Sequence, residues 1–148
     1  MRPITQGSNN LHVPSSEICS VGPPILDLVK DMEMYFKKGN CVGLAAIQLG
    51  EPVRLIGFRF GNEIRFLVNP EVVKHSEQSY LSEEGCMSIG YGKDLYVVRR
   101  YKSVKVKGLT LDGTQLSYKG RDLLGAVLQH EIDHLNGVTI DQVGRKYD

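Results

Sequence analysis

Residues 129–137 read QHEIDHLNG. His130 and His134 stand four apart with Glu131 directly after the first, and Leu123, Leu124, Val127, Leu128 and Leu135 flank them at helical spacing. At about 100° per residue the two histidines lie about 40° apart around a helix and one turn apart along it, so both rings reach one ion. Glu131 then stands beside that ion, where a carboxylate accepts a proton from water that the ion activates. The same residues also fit an ordinary solvated helix face, since the bare H-E-x-x-H pattern recurs by chance. The rest of the chain must supply a third ligand to separate the two readings.

Working outward, residues 121 to 136 form a helix that is apolar on most sides, with Asp122 as its cap and Gly137 just past its end. Such a helix is expected to be buried against sheets, where its polar residues need partners or an ion. Upstream, residues 95 to 101, 104 to 111 and 115 to 118 read as strands, the last two joined around Asp112 and Gly113. Residues 53 to 60 and 63 to 68 read as a hairpin across Gly61 and Asn62, ended by Asn69 and Pro70, and residues 71 to 83 are mixed. Ile25, Leu28, Val29, Met32, Tyr35 and Phe36 recur at helical spacing over residues 25 to 38, with Gly39 as a stop. Residues 1 to 22 are polar and irregular and form an arm that wraps the domain. The expected fold is α+β: antiparallel or mixed β-sheets packed around a central metal-binding helix, with a second helix near the N-terminus.

Composition narrows the function. The 148 residues fall in the range of a single domain spanning 1–148, long enough to bury a proper core. With 18 Lys plus Arg against 17 Asp plus Glu, the net charge of +1 provides no large field toward nucleic acid or an anionic membrane. Three widely spaced cysteines, Cys19, Cys41 and Cys86, make no disulfide framework and imply a reducing compartment. No segment has the apolar core of a signal peptide or the roughly 20 apolar residues of a membrane span, so a cytoplasmic protein is expected.

Cys86 is the strongest candidate for the third ligand. It lies in EEGCMS, where Gly85 permits unusual backbone geometry, although a lone cysteine is more often a small buried hydrophobe. Three segments then coincide: CVGLAAIQ at 41–48, EGCMS at 84–88 and QHEIDHLNG at 129–137. Together they resemble, in order and separation, the three signatures of the peptide deformylases, G-φ-G-L-A-A-x-Q, E-G-C-φ-S and Q-H-E-x-D-H-L-x-G, where φ is apolar. LHVPSSEI at 11–18 resembles the family's opening segment, so the likeness covers nearly the whole chain.

The resemblance implies a hydrolase that removes the formyl group from N-formylmethionyl peptides. It assigns the metal to Cys86, His130 and His134 and the acid/base role to Glu131. Gln48 and the backbone N–H of Met87 match the groups that hold the formyl oxygen. Val42 and Gly43 match the loop whose backbone pairs with the peptide, and Leu123, Ala126 and Val127 are candidates for the methionine pocket or for plain core packing. Asp133 reads as a buried carboxylate with Arg99 or Arg100 as partner. The implied metal is iron(II), with zinc, nickel or cobalt able to take its place, because the donor set alone does not choose. Nascent formyl peptides are the implied partner, with transient proximity to the ribosome, no nucleic-acid or membrane binding, and a monomeric state.

Departures from the family pattern are Cys41 for the first glycine, Ile47 where many members carry proline, and altered spacing between Ser88 and Arg100, where Lys93 stands in for an arginine. The chain ends eleven residues after Gly137, so it resembles short, phage-type members. Two alternatives stay open: an H-E-x-x-H metallopeptidase, which wants His or Glu as third ligand, and a non-catalytic metal or peptide-terminus binder, which wants a fourth ligand such as Cys41.

Overall fold

The computed structural model describes residues 1–147. Helix α1 spans Pro23–Lys37 and starts on its two prolines, positions where a helix has no use for the missing N–H. Strands β1 (Gly43–Ala45), β2 (Leu55–Phe60), β3 (Glu63–His75), β4 (Ser79–Glu84), β5 (Tyr96–Tyr101), β6 (Ser103–Leu109) and β7 (Gln115–Arg121) follow, then helix α2 (Asp122–Leu135), a single turn α3 (Ile140–Val143) and the short strand β8 (Arg145–Lys146). One sheet runs β1-β2-β3-β6-β7 and a second runs β4-β5-β8, every named pair antiparallel.

α2 lies on the inner face of the five-stranded sheet and also meets β5 of the smaller one. Its Leu128, Ile132 and Leu135 pack on Ile56, Phe58, Leu67, Val104 and Val106. The outer face of β1, β2 and early β3 is covered by α1, whose Leu28, Met32 and Phe36 pack on Leu44, Leu55 and Val68. Phe36 meets Phe66 edge-on at 6.3 Å between ring centroids. The N-terminal arm does wrap the domain: Thr5, Gly7, Ser15 and Ser16 donate backbone hydrogen bonds to Gln48, Ser88, Leu135 and Pro52.

Four differences from the sequence reading have physical causes. β3 does not stop at Asn69 and Pro70 but continues to His75. Asn69 turns to φ 52° and the register shifts between Val68 and Glu71, so Pro70 falls where no ladder N–H is asked of it. The Asn69 side chain then both accepts from and donates to the Ile18 backbone, pinning the arm. β4 escapes a hydrophobic reading because its buried positions are Ser82 and Glu84. Asp122 is not a capping side chain: it adopts φ 53° and pairs with Lys102 at 2.6 Å, while β7 runs straight into α2. α3 and β8 carry too few residues for any period to show.

The β7–α2 junction is held by two glycines. A Cβ on Gly125 would stand 2.9 Å from the Gly120 carbonyl oxygen, which is backbone and cannot step aside. Alanine favours a helix over glycine by about 1 kcal/mol, whereas overpacking costs about 1–3 kcal/mol. Gly125→Ala is therefore expected to lower stability in urea unfolding despite the better helix former; a stabilised variant would show that the junction yields freely.

Candidate active site and metal centre

α2 turns a polar edge away from its apolar core stripe. Gln129 fixes the rotation: its side chain accepts from Tyr101 N at 2.9 Å and donates to Tyr101 O and Gly125 O at 3.0 Å each. One residue on, His130 and then His134 point toward the turn that follows β4. The centroids of their rings are 5.1 Å apart. Cys86 opens that turn, and Ile89 N donates back to the Cys86 carbonyl. The ligand atoms of Cys86, His130 and His134 all lie within 4.8 Å of one another, with Cys86 Sγ 3.5 Å from His134 Nε2. Two buried segments far apart in sequence, the Cys86 turn and the His130–His134 stretch of α2, thus converge at one point.

Around this triad is a chain of charge that the sequence reading held only in part. Glu84 accepts from His130 Nδ1 at 3.0 Å, which leaves Nε2 of that ring free to face the cluster. Glu84 in turn takes both Nε and an Nη of Arg100, at 2.9 and 2.7 Å, and the other Nη reaches Asp133 at 2.7 Å. Arg100 is 5% exposed. Burial opposes ionisation of Glu84, but the hydrogen bonds from Arg100 and His130 win and hold its carboxyl down to about 2. Asp133 thereby has the partner expected among Arg99 and Arg100. Glu84 was missed because a glutamate beside another glutamate in EEGC reads as surface; its alternation with Ser82 on β4 was the available signal.

A cation suits the donors. Burial works against a proton on His130, yet the Glu131 carboxylate, Cys86 and Glu84 raise its pKa well above the usual value; burial and the His130 charge push His134 well below. The donor set itself, one thiol and two imidazoles with their ligand atoms within 4.8 Å of one another, is one that a divalent ion takes with a position left open. The buried Oε1 of Glu131 and Nδ1 of His134 have no hydrogen-bond partner. Burial pushes the Glu131 carboxyl up to about 7 against the pull of His130.

The remaining candidates border a cleft of about 610 Å³ that opens onto the triad. Val42, Gly43, Met87, Leu123, Ala126 and Val127 all line it. Leu123 is 69% exposed, so it stands in the cleft rather than in the core, whereas Ala126 is buried. Gln48, 2% exposed, is locked by accepting from Ala45 N at 3.0 Å, and its Nε2 points to Ser88 Oγ at 3.2 Å and Cys86 Sγ at 3.6 Å. Met87 sits in the turn with its carbonyl accepting from Gln6 at 2.6 Å. Gly43 touches the acid/base candidate: a Cβ there would stand 2.6 Å from Glu131 Oε2. Cys41 stays apart from the ligand group; its thiol donates to the Gly43 carbonyl, and burial with the nearby Glu131 charge pushes it up to about 12. It is thus no fourth ligand. Lys93 is exposed and does not line the cleft.

Comparison with known proteins agrees with this geometry. The family model for polypeptide deformylase matches residues 1–147. A peptide deformylase of Syntrophomonas wolfei is 43% identical over 128 residues, covering 85% of this chain and 79% of the relative. The peptide deformylase structure from Thermotoga maritima superposes with a TM-score of 0.89 at 27% identity, covering 97% of each chain. The enzyme of the Vibrio parahaemolyticus bacteriophage VP16T, solved in complex with actinonin, gives 0.83 at 32% identity, covering 95% of this chain and 100% of that one. Fold and donor set define a metal-dependent hydrolase. Within that class the chain belongs to the peptide deformylase family, enzymes that remove the formyl group from N-formylmethionyl peptides. The metallopeptidase reading gives way on the same ground.

Two substitutions probe the geometry. Glu84→Gln keeps shape but removes the charge that orients His130, and metal affinity, measured by chelator competition, is expected to fall about 10–100-fold. Gly43→Ala is expected to retain metal but to lower kcat, because the new methyl displaces the Glu131 carboxylate; unchanged kcat would mean that Glu131 need not sit there.

Proposed function

We propose that residues 1–148 form one catalytic domain in which Cys86, His130 and His134 hold a single iron(II) ion, with zinc, nickel or cobalt able to replace it. The observation that carries this reading is the convergence of the three ligand atoms beside the unpartnered Glu131 oxygen. When bound, the ion supplies Lewis-acid chemistry, acidifying water and polarising a carbonyl oxygen.

The protein groups do the rest. Glu131 takes a proton from the attacking water, whose oxygen bonds to the formyl carbon, and delivers a proton to the amine as the C–N bond breaks. Formate and a free N-terminus leave. Gln48 Nε2 and the Met87 N–H donate to the formyl oxygen as it gains charge, a donor pair held in place before the reaction begins. Glu84 and Arg100 keep His130 oriented. β1 is an edge strand, and Val42 O already accepts from Arg59 N on the β2 side. By the alternation of an antiparallel ladder the Gly43 N–H and C=O face the cleft, ready to pair with an extended peptide. Leu123, Ala126 and Val127 form the wall for the methionine side chain. The enzyme works as a cytoplasmic monomer on nascent chains, in passing proximity to the ribosome. No helix among the described residues is long and apolar enough to cross a membrane.

Release of formate from a formyl-Met peptide by iron-, nickel- or zinc-loaded protein tests the reading. Glu131→Gln is expected to keep metal and lose turnover by about 10²–10⁴-fold, the usual scale of acid–base catalysis. Cys86→Ala is expected to lose both metal and turnover. Cleavage of an internal peptide bond without formate release would refute it.

A further inference from the structure

The uncovered part of the five-stranded sheet carries charge that the net value conceals. α1 shields the outer face over β1, β2 and early β3, but late β3, β6 and β7 have no helix on that side. Register places Lys74 directly opposite Lys105, and Lys105 directly opposite Lys119, so three lysines form one row across three adjacent strands. Lys107 and Arg121 flank the row on the same face, Lys107 paired with Glu71 at 3.6 Å. Among the described residues Lys74, Lys105 and Lys119 pair with no carboxylate, whereas Lys102 nearby pairs with Asp122. Like charges set directly opposite each other on a sheet, with Cβ atoms about 4.5–5.5 Å apart, destabilise it. This strip gathers five cations and one carboxylate in a chain of net charge +1.

We propose that this lysine row is a docking surface for the phosphate backbone of structured RNA. The proposal rests on the reading of the chain as a deformylase, whose formyl-peptide substrates emerge beside the RNA of the translating ribosome. The charges stand opposite one another across three adjacent strands, about 4.7–4.9 Å apart in an ordinary ladder, with the β3 end set by the register shift between Val72 and Lys74. A row of cations suits a repeating anion better than scattered carboxylates. Beside the lysines the outward positions of β6 and β7 are Ser103, Ser117 and Gln115. The large apolar side chains near the row are only Val73, exposed beside Lys74 on β3, and Leu109, half-buried at the α1 end, too few to enter a bilayer. The row lies on the sheet face opposite α2, so a docked RNA leaves the cleft open to a peptide. Lysines at this surface contact phosphate without reading sequence.

Fluorescence anisotropy of a labelled RNA hairpin with full-length, metal-loaded protein across a salt series tests the surface. With three phosphate contacts at about 0.7–0.9 each, the plot of log affinity against log salt should have a slope of about −2 to −3. The triple variant Lys74→Gln, Lys105→Gln, Lys119→Gln should lose at least about tenfold in affinity at low salt, with a slope moving toward zero. Its kcat/KM on a short formyl-Met peptide should match the unsubstituted protein, which also shows that it folds. A slope near zero for the unsubstituted protein, or equal RNA affinity in the variant, overturns the proposal. So does tighter binding to phosphatidylglycerol vesicles or to polyaspartate at the same salt, which would assign the face to a membrane or an acidic protein. Failure to release formate while RNA binds would refute the deformylase reading alone; formate release without RNA binding refutes the docking surface alone.

Discussion

The rest of the structure depends on one ionic chain that runs from half-buried Asp133 to buried Arg100, to Glu84 and to the Nδ1 of His130. Taking such charges out of water costs several kcal/mol each unless every donor and acceptor is matched. Here Arg100 spends its fork on two carboxylates, and Glu84 accepts from Arg100 at both oxygens and from His130 at Oε1. The pairing determines which nitrogen of His130 faces the cluster. It also ties β4 and β5, from the smaller sheet, to α2, so the turn that carries Cys86 and the helix that carries both histidines cannot drift apart without breaking buried hydrogen bonds.

Against that frame the cleft is shaped by what is missing from side chains. Gly43 lets the edge strand come within touching distance of Glu131, and the Gly120 and Gly125 pair lets α2 start against the end of β7. Each sets a distance that one methyl would change. Gln48 shows the complementary device: its oxygen is held by Ala45, so its amide nitrogen can only point toward Cys86 and Ser88.

Legibility in the sequence followed hydrophobic contrast. α1, the hairpin of β2 and β3, and α2 were readable because each has one apolar side, and the triad was readable because its donors recur at a helical spacing and in a Gly-Cys turn. β4 was not, since its inward side chains, Ser82 and Glu84, face the metal site and not the core. The continuation of β3 past Pro70 was hidden for a different reason: proline argues against a strand unless a bulge places it where no N–H is needed, and only the three-dimensional register reveals that bulge. The lysine row was invisible because it depends on which residues stand opposite each other across strands, which a net charge and a linear pattern do not encode. The role of Glu84 was only faintly signalled, because it depends on contacts with Arg100 on β5 and His130 on α2.

The central claim is that one sulfur and two imidazole nitrogens, oriented by the Glu84 and Arg100 pair, hold a single ion with a position left open. X-ray absorption spectroscopy of the zinc-loaded protein measures this directly. The account predicts a first shell with one sulfur at about 2.3 Å and two nitrogens at about 2.0–2.1 Å, completed by a light atom from solvent. Two sulfurs, which would bring in Cys41, or no sulfur at all, would contradict it.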